Sequence, residues 1–312
     1  MQTVAVALDA MATRFEIVLH GENPVSLRAA GEEALAEVER LEARLSLFRP
    51  DSEIARVNAR AARKPVRVTP EVYALLDHAR RLSDETGGAF DITIAPLMRC
   101  WGFHGGSGTV PSPEAIAAAR ECIGMRLVEL DARDFTVRFA RDGVMLDLGA
   151  IGKGYAVEQA AEILREAGVT SALIHGGTST AFAIGQPPDA GCWKVAIDRP
   201  AADGGAKSSS LLTTVELRDE ALSVSAVWGR CLEAGGQVYG HEIDPRTGWP
   251  ANAAVLAAVA TGSATESDAL STALITVGLV GHDAIARLRP GMRTLVAAQT
   301  ADGLKIATNG LM

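Results

Sequence analysis

The stretch DLGAIGKGYAVEQAAEILREAG, residues 147–168, decides how this chain folds. The residues just before and into it, 144–148, are apolar enough to predict a short strand, which Gly149 and Gly152 then interrupt. Apolar residues next recur at helical spacing until Gly168 stops the helix. The stretch therefore predicts a strand, a glycine turn and a helix.

The glycine turn predicts an anion site. A strand-to-helix turn leaves backbone N–H groups unpaired at the positive end of the helix dipole, and Lys153 adds a cation beside them. This combination favours a phosphate or diphosphate. Asp147 does not fit a purely anionic ligand, because its carboxylate is itself negatively charged. It is suited to accept hydrogen bonds from N–H or O–H groups of a ligand, or to help hold a hard metal ion. When the stretch is taken alone, there is an alternative to an anion site. In that alternative the glycines serve only to pack the strand closely against the helix, and the lysine is simply solvated.

Two common phosphate motifs do not fit this stretch. A Walker A loop ends in Gly-Lys-Ser/Thr, but Gly154 follows Lys153 and Asp147 stands where the first glycine belongs. The fingerprint of dinucleotide-binding Rossmann folds would need a third glycine at position 157, which is Val157. The turn belongs to neither class.

Composition argues against several kinds of partner and site. The chain has 312 residues, 48% of them hydrophobic, enough for one large domain or two smaller ones. Its net charge of -8 argues against nucleic acid or an anionic membrane surface as main partner, because binding phosphates needs a basic face. Four cysteines, far apart and without a CxxC pair, argue against zinc, iron–sulfur and redox sites and predict buried thiols.

The first residues, MQTVAVALDAMATRFEIVLHG, lack a charged n-region, a long apolar core and a cleavage site. No later segment approaches 18 uninterrupted apolar residues, so we expect no membrane segment in this chain. The sequence as written predicts a cytoplasmic location, or a periplasmic one if an export signal has been removed.

The remaining patterns predict an α+β fold. Ser26 is expected to cap a long helix with one apolar stripe, and further helices are expected after Ser52, Thr69 and Ser112. Short strands are expected at residues 15–20, 135–140, 171–175, 180–184, 193–197, 211–217 and 221–225. We expect mixed, mainly antiparallel sheets flanked by helices, in a single unit over residues 1–312 or in two intimately packed subdomains.

Two neighbouring segments are predicted to be loops. Residues 88–103, GAFDITIAPLMRCWGF, form neither a clean strand nor a clean helix, and irregular stretches rich in aromatics tend to carry function. Residues 104–113, HGGSGTVPSP, have the composition of a flexible surface segment.

His241 is a candidate general base. It lies three residues before Asp244, which opens the turn Asp-Pro-Arg-Thr-Gly, with proline at the second position and Gly248 at the end. A histidine just before a rigid turn is held in place, as a general base requires. A structural histidine is the alternative.

Asp268 and Thr272 are candidate metal ligands. Thr265 can cap a helix whose third residue is Asp268, and a capping role explains that carboxylate by itself. It does not explain Thr272, one turn later on the same helix face. A carboxylate and a hydroxyl so placed are hard oxygen ligands suited to Mg²⁺ on a diphosphate, with a backbone carbonyl from the glycine turn as a third ligand. This requires the helix to pack against the glycine turn.

Five segments together resemble the ApbE family of FAD:protein FMN transferases. They are RLSLFRPDSEIARVN, GAFDITIAPLMRCWGF, DLGAIGKGYAVE, GHEIDPRTGWP and ATESDALSTAL, spread in the family's order from about Arg44 to Leu274. The resemblance implies an architecture related to the T-fold. It also implies an enzyme that uses FAD and Mg²⁺ to attach FMN, through a phosphoester bond, to a threonine or serine of an acceptor protein, with release of AMP.

The resemblance implies roles for individual residues. Those at positions that contact FAD are Met11, Phe48, Ala89, Phe90, Asp91, Asp147 and Lys153. Phe48 stands where a tyrosine is usual, which keeps ring stacking and loses a hydroxyl. The carbonyl of Ala150 and the side chains of Asp268 and Thr272 match the Mg²⁺ ligands. His241 matches the base that deprotonates the acceptor hydroxyl.

The chain also departs from the family pattern. Thr178 stands where Gly-Gly-Asn or Gly-Gly-Asp is usual, the segment around Ser225 lacks the usual Thr-Ser-Gly, and Glu242 replaces an apolar residue. The lipid-bearing cysteine common near the start of family members is not present. Since these changes cluster where the acceptor or the adenine is expected, we expect altered acceptor choice rather than lost flavin binding.

Three other functions fit some of the same sequence features. Water in place of the acceptor hydroxyl would make the chain a Mg²⁺-dependent FAD pyrophosphatase that yields FMN and AMP. A misaligned His241 or metal pair would leave a protein that only stores FAD. The run His175-Gly176-Gly177 is similar to an esterase oxyanion loop, but the chain has no GxSxG nucleophile elbow.

Overall fold

The computed structural model describes residues 1–105, 109–200, 210–229, 231–234 and 237–312. Seven α-helices lie in these ranges. They are α1 (Pro24–Leu45), α2 (Glu53–Arg60), α3 (Pro70–Glu85), α4 (Ala95–Cys100), α5 (Pro113–Arg120), α6 (Gly152–Glu166) and α7 (Ala264–Ala286), with a 3-10 turn at Met125–Leu127.

The strands form one large sheet and three small ones. They are β1 (Gln2–Ala10), β2 (Thr13–Gly21), β3 (Val66–Arg67), β4 (Val128–Asp131), β5 (Thr136–Phe139), β6 (Ser171–Gly176), β7 (Thr180–Gly185), β8 (Trp193–Asp198), β9 (Leu211–Leu217), β10 (Ala221–Ala226), β11 (Cys231–Ala234), β12 (Gln237–Gly240), β13 (Leu256–Thr261), β14 (Arg293–Thr300) and β15 (Gly303–Asn309). The large sheet has the order β1-β2-β6-β7-β10-β13-β14-β15, and the small ones are β3-β5-β4, β8-β9 and β11-β12.

The large sheet is covered on both faces, as its alternating side chains require. On β13, Ala257 and Val259 join the core under α1, α6 and α7, whereas Leu256, Ala258 and Ala260 join a second cluster. That second cluster is closed by apolar side chains of the β8-β9 hairpin. One sheet face therefore carries the helices, and the other carries the hairpin.

The predicted α+β class with mainly antiparallel sheets is confirmed. Within the described ranges, every pairing between named strands is antiparallel. The seven strands predicted outside residues 144–148 are present with small shifts at their ends. The predictions did not include β1, the short strands β3, β4, β11 and β12, or the C-terminal strands β13, β14 and β15. The loop predicted at residues 88–103 is wrong in part, because α4 lies within it.

The strand predicted at residues 144–148 is wrong. The segment is extended and buried, but its polar groups pair outside any sheet. The N–H of Leu146 donates to Asn58 Oδ1 at 2.7 Å, and Asn58 Nδ2 donates back to the carbonyl of Leu146 at 2.9 Å. The N–H of Asp147 donates to the carbonyl of Ile92 at 2.7 Å. One asparagine on α2 thus takes the place of a neighbouring strand.

Two predicted helix caps are also wrong. α1 is capped by Asn23, not Ser26, because Pro24 occupies the first helical position and fixes the start of the helix there. α7 is capped by Ser263, not Thr265. The prediction of four buried thiols fails as well, since Cys231 is exposed and the other three cysteines, all free, are partly exposed.

α7 is a core helix. By length and composition it could cross a membrane, with a mean hydropathy of 1.5, but 56% of that window is buried inside the fold. Its buried side chains pack under the large sheet, and at Gly278 the helix kinks, with a φ of 62°.

A charged network ties the first turn of α7 to α3. Glu266 accepts hydrogen bonds from His78 Nε2 at 3.1 Å and from Arg289 Nε at 2.8 Å, and Arg289 also pairs with Glu85 at 2.7 Å. Burial of the Glu266 carboxyl raises its pKa, but the hydrogen bonds and charges of His78 and Arg289 outweigh burial and lower the pKa to about 2. The network therefore holds the charged form of Glu266.

This network predicts a pH-dependent contribution to stability. Because the folded-state pKa of Glu266 lies below its ordinary value of 4.5, its contribution is present above pH 4.5 and is lost as the pH falls towards 2. At pH 7 we expect Glu266→Gln to lower the free energy of unfolding by about 2–3 kcal/mol. Urea unfolding of both proteins between pH 7 and pH 3 measures this difference.

The control is Glu39→Gln, on the exposed face of α1. We expect its effect on the free energy of unfolding to be small. A Glu266→Gln deficit that stays the same from pH 7 to pH 3 would contradict the assignment of this network.

Candidate functional site

The glycine turn folds around Asp147. Its Oδ1 accepts a hydrogen bond from the N–H of Gly149 at 2.8 Å, a local turn that the short aspartate side chain can make with the backbone two residues on. α6 begins at Gly152, and Lys153 in its first turn donates from Nζ to the carbonyl of Gly149 at 3.3 Å. A cation and the start of a helix therefore lie together at this turn, as the sequence predicts.

α6 and α7 cap each other. Asp268 Oδ2, on α7, accepts from the N–H of Gly154 in the first turn of α6 at 2.9 Å. Glu158 Oε2, on α6, accepts from the N–H of Thr265 and from Ser263 Oγ, both at 2.7 Å, at the start of α7. Both bonds place a carboxylate at the positive end of a helix dipole. The predicted packing of the Asp268 helix against the glycine turn is confirmed.

Gly154 makes this close approach possible. A Cβ at position 154 would overlap the carbonyl oxygen of Ala264 and lie 2.6 Å from the Cβ of Asp268. Only a residue without a side chain leaves room for the two helix N-termini to meet here.

Thr272 lies one turn beyond Asp268 and contacts β10. Ser225 Oγ is 3.4 Å from Thr272 Oγ1 and 2.9 Å from Ser271 Oγ. Further along the same two elements, Ser223 Oγ lies 2.5 Å from Ser267 Oγ. A row of hydroxyl groups therefore fixes α7 on β10 and holds Thr272 in place.

Asp268 and Thr272 carry oxygen donors of the type that suits a hard cation. They lie one turn apart on α7, and Asp268 is bonded to the first turn of α6; the predicted third ligand, the carbonyl of Ala150, belongs to the glycine turn just before α6. Mg²⁺ prefers few protein ligands of this type together with water and phosphate oxygens. Among the described residues, no three His, Cys, Asp or Glu side chains come together as a metal cluster. These residues therefore fit a magnesium ion better than a structural zinc.

Residues 89–91 are buried, and the N–H groups of Ala89 and Phe90 donate to the carbonyl and the hydroxyl of Thr86. Ala89 and Phe90 are each 1% exposed, and Asp91 is 7% exposed. The Asp91 carboxylate accepts from the Thr93 N–H at 2.8 Å, from Thr93 Oγ1 at 2.6 Å, and from Ser83 Oγ and the Met125 N–H, both at 3.2 Å. Burial raises the pKa of Asp91, and these hydrogen bonds oppose the rise. Its side chain holds the loop together.

His104 joins two parts of the site. The sequence predicts a surface position for it, but its side chain is 6% exposed, and Nε2 lies 3.0 Å from Asp147 Oδ2. Its ring meets Phe48 edge-on, with centroids 5.4 Å apart. The prediction is wrong for His104; residues 106–108 of the same segment lie outside the described residues.

His241 lies next to this contact. The ring of Phe103, just before His104, is 6.5 Å from the His241 ring, and His241 Nε2 lies 3.5 Å from Glu242 Oε1. The predicted turn follows, since the N–H of Gly248 donates to the carbonyl of Asp244 at 2.7 Å. His241 therefore lies beside a rigid turn, with its side chain 30% exposed.

Met11 connects to the site through Glu42. It forms, with Ala12, the two-residue turn between β1 and β2, and both have positive φ, 51° and 58°. Its N–H donates to Glu42 Oε1 at 2.8 Å, and Arg49, next to Phe48, donates to Glu42 Oε2 at 3.1 Å. A cleft of about 410 Å³ lies beside this turn, lined by Asp9, Ala10, Ala12, Thr13, Arg14 and Glu42.

A chain of contacts thus joins His241, Asp147 and Asp268 of the predicted site residues. It passes from His241 through Phe103 and its neighbour His104 to Asp147, and from the glycine turn to Asp268. The sequence patterns missed two members. Glu158 is hidden among the charges of an amphipathic helix, and His104 opens a glycine-rich run that is typical of surface loops.

The fold and this cluster define a class: α+β proteins in which two helix N-termini meet over an antiparallel sheet. The family model named ApbE family matches residues 11–296. The chain belongs to the ApbE family, as its sequence motifs predict.

Known relatives cover most of the chain. A protein of Treponema pallidum named FAD:protein FMN transferase is 32% identical in an alignment of 297 positions that covers 91% of this chain and 81% of that protein. A Vibrio cholerae protein of the same name is 28% identical over 271 residues, 86% of this chain and 79% of that protein.

Solved structures agree with the fold. The ApbE protein of Thermotoga maritima superimposes with a TM-score of 0.87 at 26% identity, covering 99% of this chain and 97% of that one. The flavin transferase ApbE from Vibrio cholerae superimposes with a TM-score of 0.86 at 27% identity, covering 99% and 98%.

The α6–α7 contact predicts opposite outcomes for two neighbouring glycines. Gly154→Ala is expected to lower the free energy of unfolding by about 2–3 kcal/mol, because its methyl group would overlap the backbone of α7. Gly152→Ala is the matched control, since a Cβ there would have its nearest neighbour, Leu148 Cβ, at 3.9 Å. Urea unfolding at pH 7 measures both. Equal stability of the two variants would show that the helices do not approach as closely as described.

Proposed function

We propose that this chain transfers FMN from FAD to the hydroxyl group of a threonine or serine in an acceptor protein, in a reaction that depends on Mg²⁺ and releases AMP. The observation that carries the proposal is the hydrogen bond from the Gly154 N–H to Asp268 Oδ2. It brings an acid and an alcohol, one helical turn apart, to a glycine turn that carries Lys153. The names of the relatives from Treponema pallidum and Vibrio cholerae support the same activity.

The flavin half of FAD needs a flat ring contact and an acceptor for its N–H. Phe48 is 65% exposed and has a ring face free for stacking, and Asp147 supplies a carboxylate beside it. Residues 89–91 would contribute backbone groups, and Met11 would contact FAD from the β1-β2 turn. These roles rest on the family motifs together with the positions described above.

The diphosphate carries negative charge that the protein must balance. Lys153, in the first turn of α6, lies at the glycine turn, where its charge and the helix dipole favour a phosphate. Asp268, Thr272 and the carbonyl of Ala150 would hold Mg²⁺, which when bound neutralises diphosphate charge and stabilises the leaving AMP.

The transfer itself is a displacement at phosphorus. The acceptor oxygen forms a bond to the FMN phosphorus, the bond between that phosphorus and the bridging oxygen breaks, and AMP leaves with the electron pair. His241 takes the proton of the acceptor hydroxyl, a task for which it is held beside the Asp244 turn and remains partly exposed. Glu242, close to its Nε2, is positioned to stabilise the charged ring that results.

One assay separates transfer from its alternatives. The protein is incubated with FAD, Mg²⁺ and a candidate acceptor protein that carries a flavinylation threonine, and AMP release and the acceptor mass are followed. AMP with an FMN adduct supports transfer. AMP with free FMN shows hydrolysis, and FAD binding without AMP shows storage.

Two variants test the assigned roles. Asp268→Ala is expected to lower AMP release by about 100-fold or more, because the metal ligand and the cap of α6 are both lost. His241→Ala is expected to slow AMP release by about 100-fold while FAD still binds with wild-type affinity, because a general base acts on the acceptor and not on FAD.

Asp283→Ala is the control for the metal ligand, since Asp283 lies on the same helix with a side chain 79% exposed. It is expected to behave as the wild type. Thermal unfolding of each variant shows whether lost activity comes from a lost fold. Wild-type rates in folded Asp268→Ala and His241→Ala would remove both assignments.

A further inference from the structure

His104 is a buried polar residue to which the proposed reaction assigns no role. Its side chain is 6% exposed, and Nε2 lies 3.0 Å from Asp147 Oδ2. Nδ1 is fully buried and has no hydrogen-bond partner among the residues that the structure describes. A buried nitrogen without a partner costs free energy, so a histidine is a poor choice here if the position only fills space.

The contacts of His104 are confined to the candidate site. On one side it pairs with Asp147, whose other carboxylate oxygen accepts from the Gly149 N–H at 2.8 Å. On the other side its ring meets Phe48 with an interplanar angle of 84°. With both carboxylate oxygens engaged, the plane of the Asp147 carboxylate is fixed, and the ring of Phe48 has a firm edge to rest against.

The position of His104 indicates which half of FAD it serves. Phe103, the preceding residue, contacts the His241 ring, so His104 lies on the side of the cluster where the acceptor attacks. The group that is transferred must lie there, and in the proposed reaction that group is FMN. A carboxylate repels phosphate but accepts from the single ring N–H of an oxidised flavin.

We propose that His104 is a positioning residue for the isoalloxazine ring: it orients the Asp147 carboxylate towards the flavin N–H and supports Phe48 as the stacking surface. This inference rests on the proposed function. It assigns His104 no contact with the reacting phosphorus, so its loss affects binding of the flavin half and leaves the chemical step unchanged.

The test compares His104→Leu with His104→Gln. The leucine variant fills the space but cannot interact with the carboxylate, and the glutamine amide can still donate to Asp147. Titrations followed by flavin fluorescence are expected to show FAD and FMN binding weakened about 10-fold in His104→Leu and within about threefold of wild type in His104→Gln. Calorimetric titration is expected to show AMP binding unchanged in both variants.

Kinetics give a second readout. In His104→Leu the KM for FAD is expected to rise about 10-fold with kcat for AMP release unchanged, because the same binding is lost in the ground and transition states. His20→Leu, at a histidine that stacks on Trp193 outside the site, is the matched control and is expected to match the wild type. Thermal unfolding confirms that each variant is folded.

A double variant tests whether His104 acts through Asp147. If it does, adding His104→Leu to Asp147→Asn causes a smaller loss of flavin affinity than His104→Leu causes in the wild type, because only the support of Phe48 is then still to be lost. Three results would each overturn the proposal. The first is a fully additive loss of flavin affinity in the double variant, and the second is FAD binding by folded His104→Leu that is as tight as in the wild type or tighter. The third is weakened binding of AMP instead of FMN. If the wild-type protein binds no FAD, the proposed function itself is overturned. If the wild-type protein binds FAD and His104→Leu binds it with the same affinity, only the role of His104 is overturned.

Discussion

Two carboxylates hold the N-termini of α6 and α7 against each other, and the site depends on this reciprocal cap. Asp268 accepts from α6, and Glu158 accepts from α7. Each carboxylate satisfies N–H groups that a helix start leaves unpaired and lies at the positive end of a dipole. Each cap sets a full negative charge against the partial positive charge of a helix end, so the two ends can meet without repelling each other. Lys153 lies at the same junction and is the cation that remains for an anionic ligand.

Asp268 has two tasks in this arrangement. One carboxylate oxygen fixes α6 through the Gly154 N–H, and the residue also stands beside Thr272 as the carboxylate of the candidate cation site. A side chain that caps a helix cannot easily change its orientation, so Asp268 would already be in place when an ion binds under the proposed function. The hydroxyl contacts of Ser225 with Ser271 and Thr272 hold the same helix on the sheet.

Local patterns predicted local features well. The apolar stripe of α1, the glycine stop of α6, the Asp244 turn and the shared face of Asp268 and Thr272 all depend on residues a few positions apart. Where a feature depends on residues far away in the sequence, the prediction was wrong or the feature was missed. Residues 144–148 pair with Asn58 instead of a strand, Glu158 caps a helix more than 100 positions later, and the burial of His104 depends on Asp147 and Phe48. Periodicity and spacing carry no information about such long-range pairs. Only the match of several motifs to one family, in the family's order, could indicate that distant segments form one site.

Diffraction from crystals grown with FAD and Mn²⁺, measured at the manganese absorption edge, would locate the ion relative to the α6–α7 junction. Manganese replaces magnesium at oxygen sites and gives an anomalous signal that locates it. We predict one strong peak bonded to Asp268 and Thr272, with the FAD diphosphate between that ion and the first turn of α6. A peak elsewhere, or a diphosphate bound away from the α6–α7 junction, would contradict this prediction.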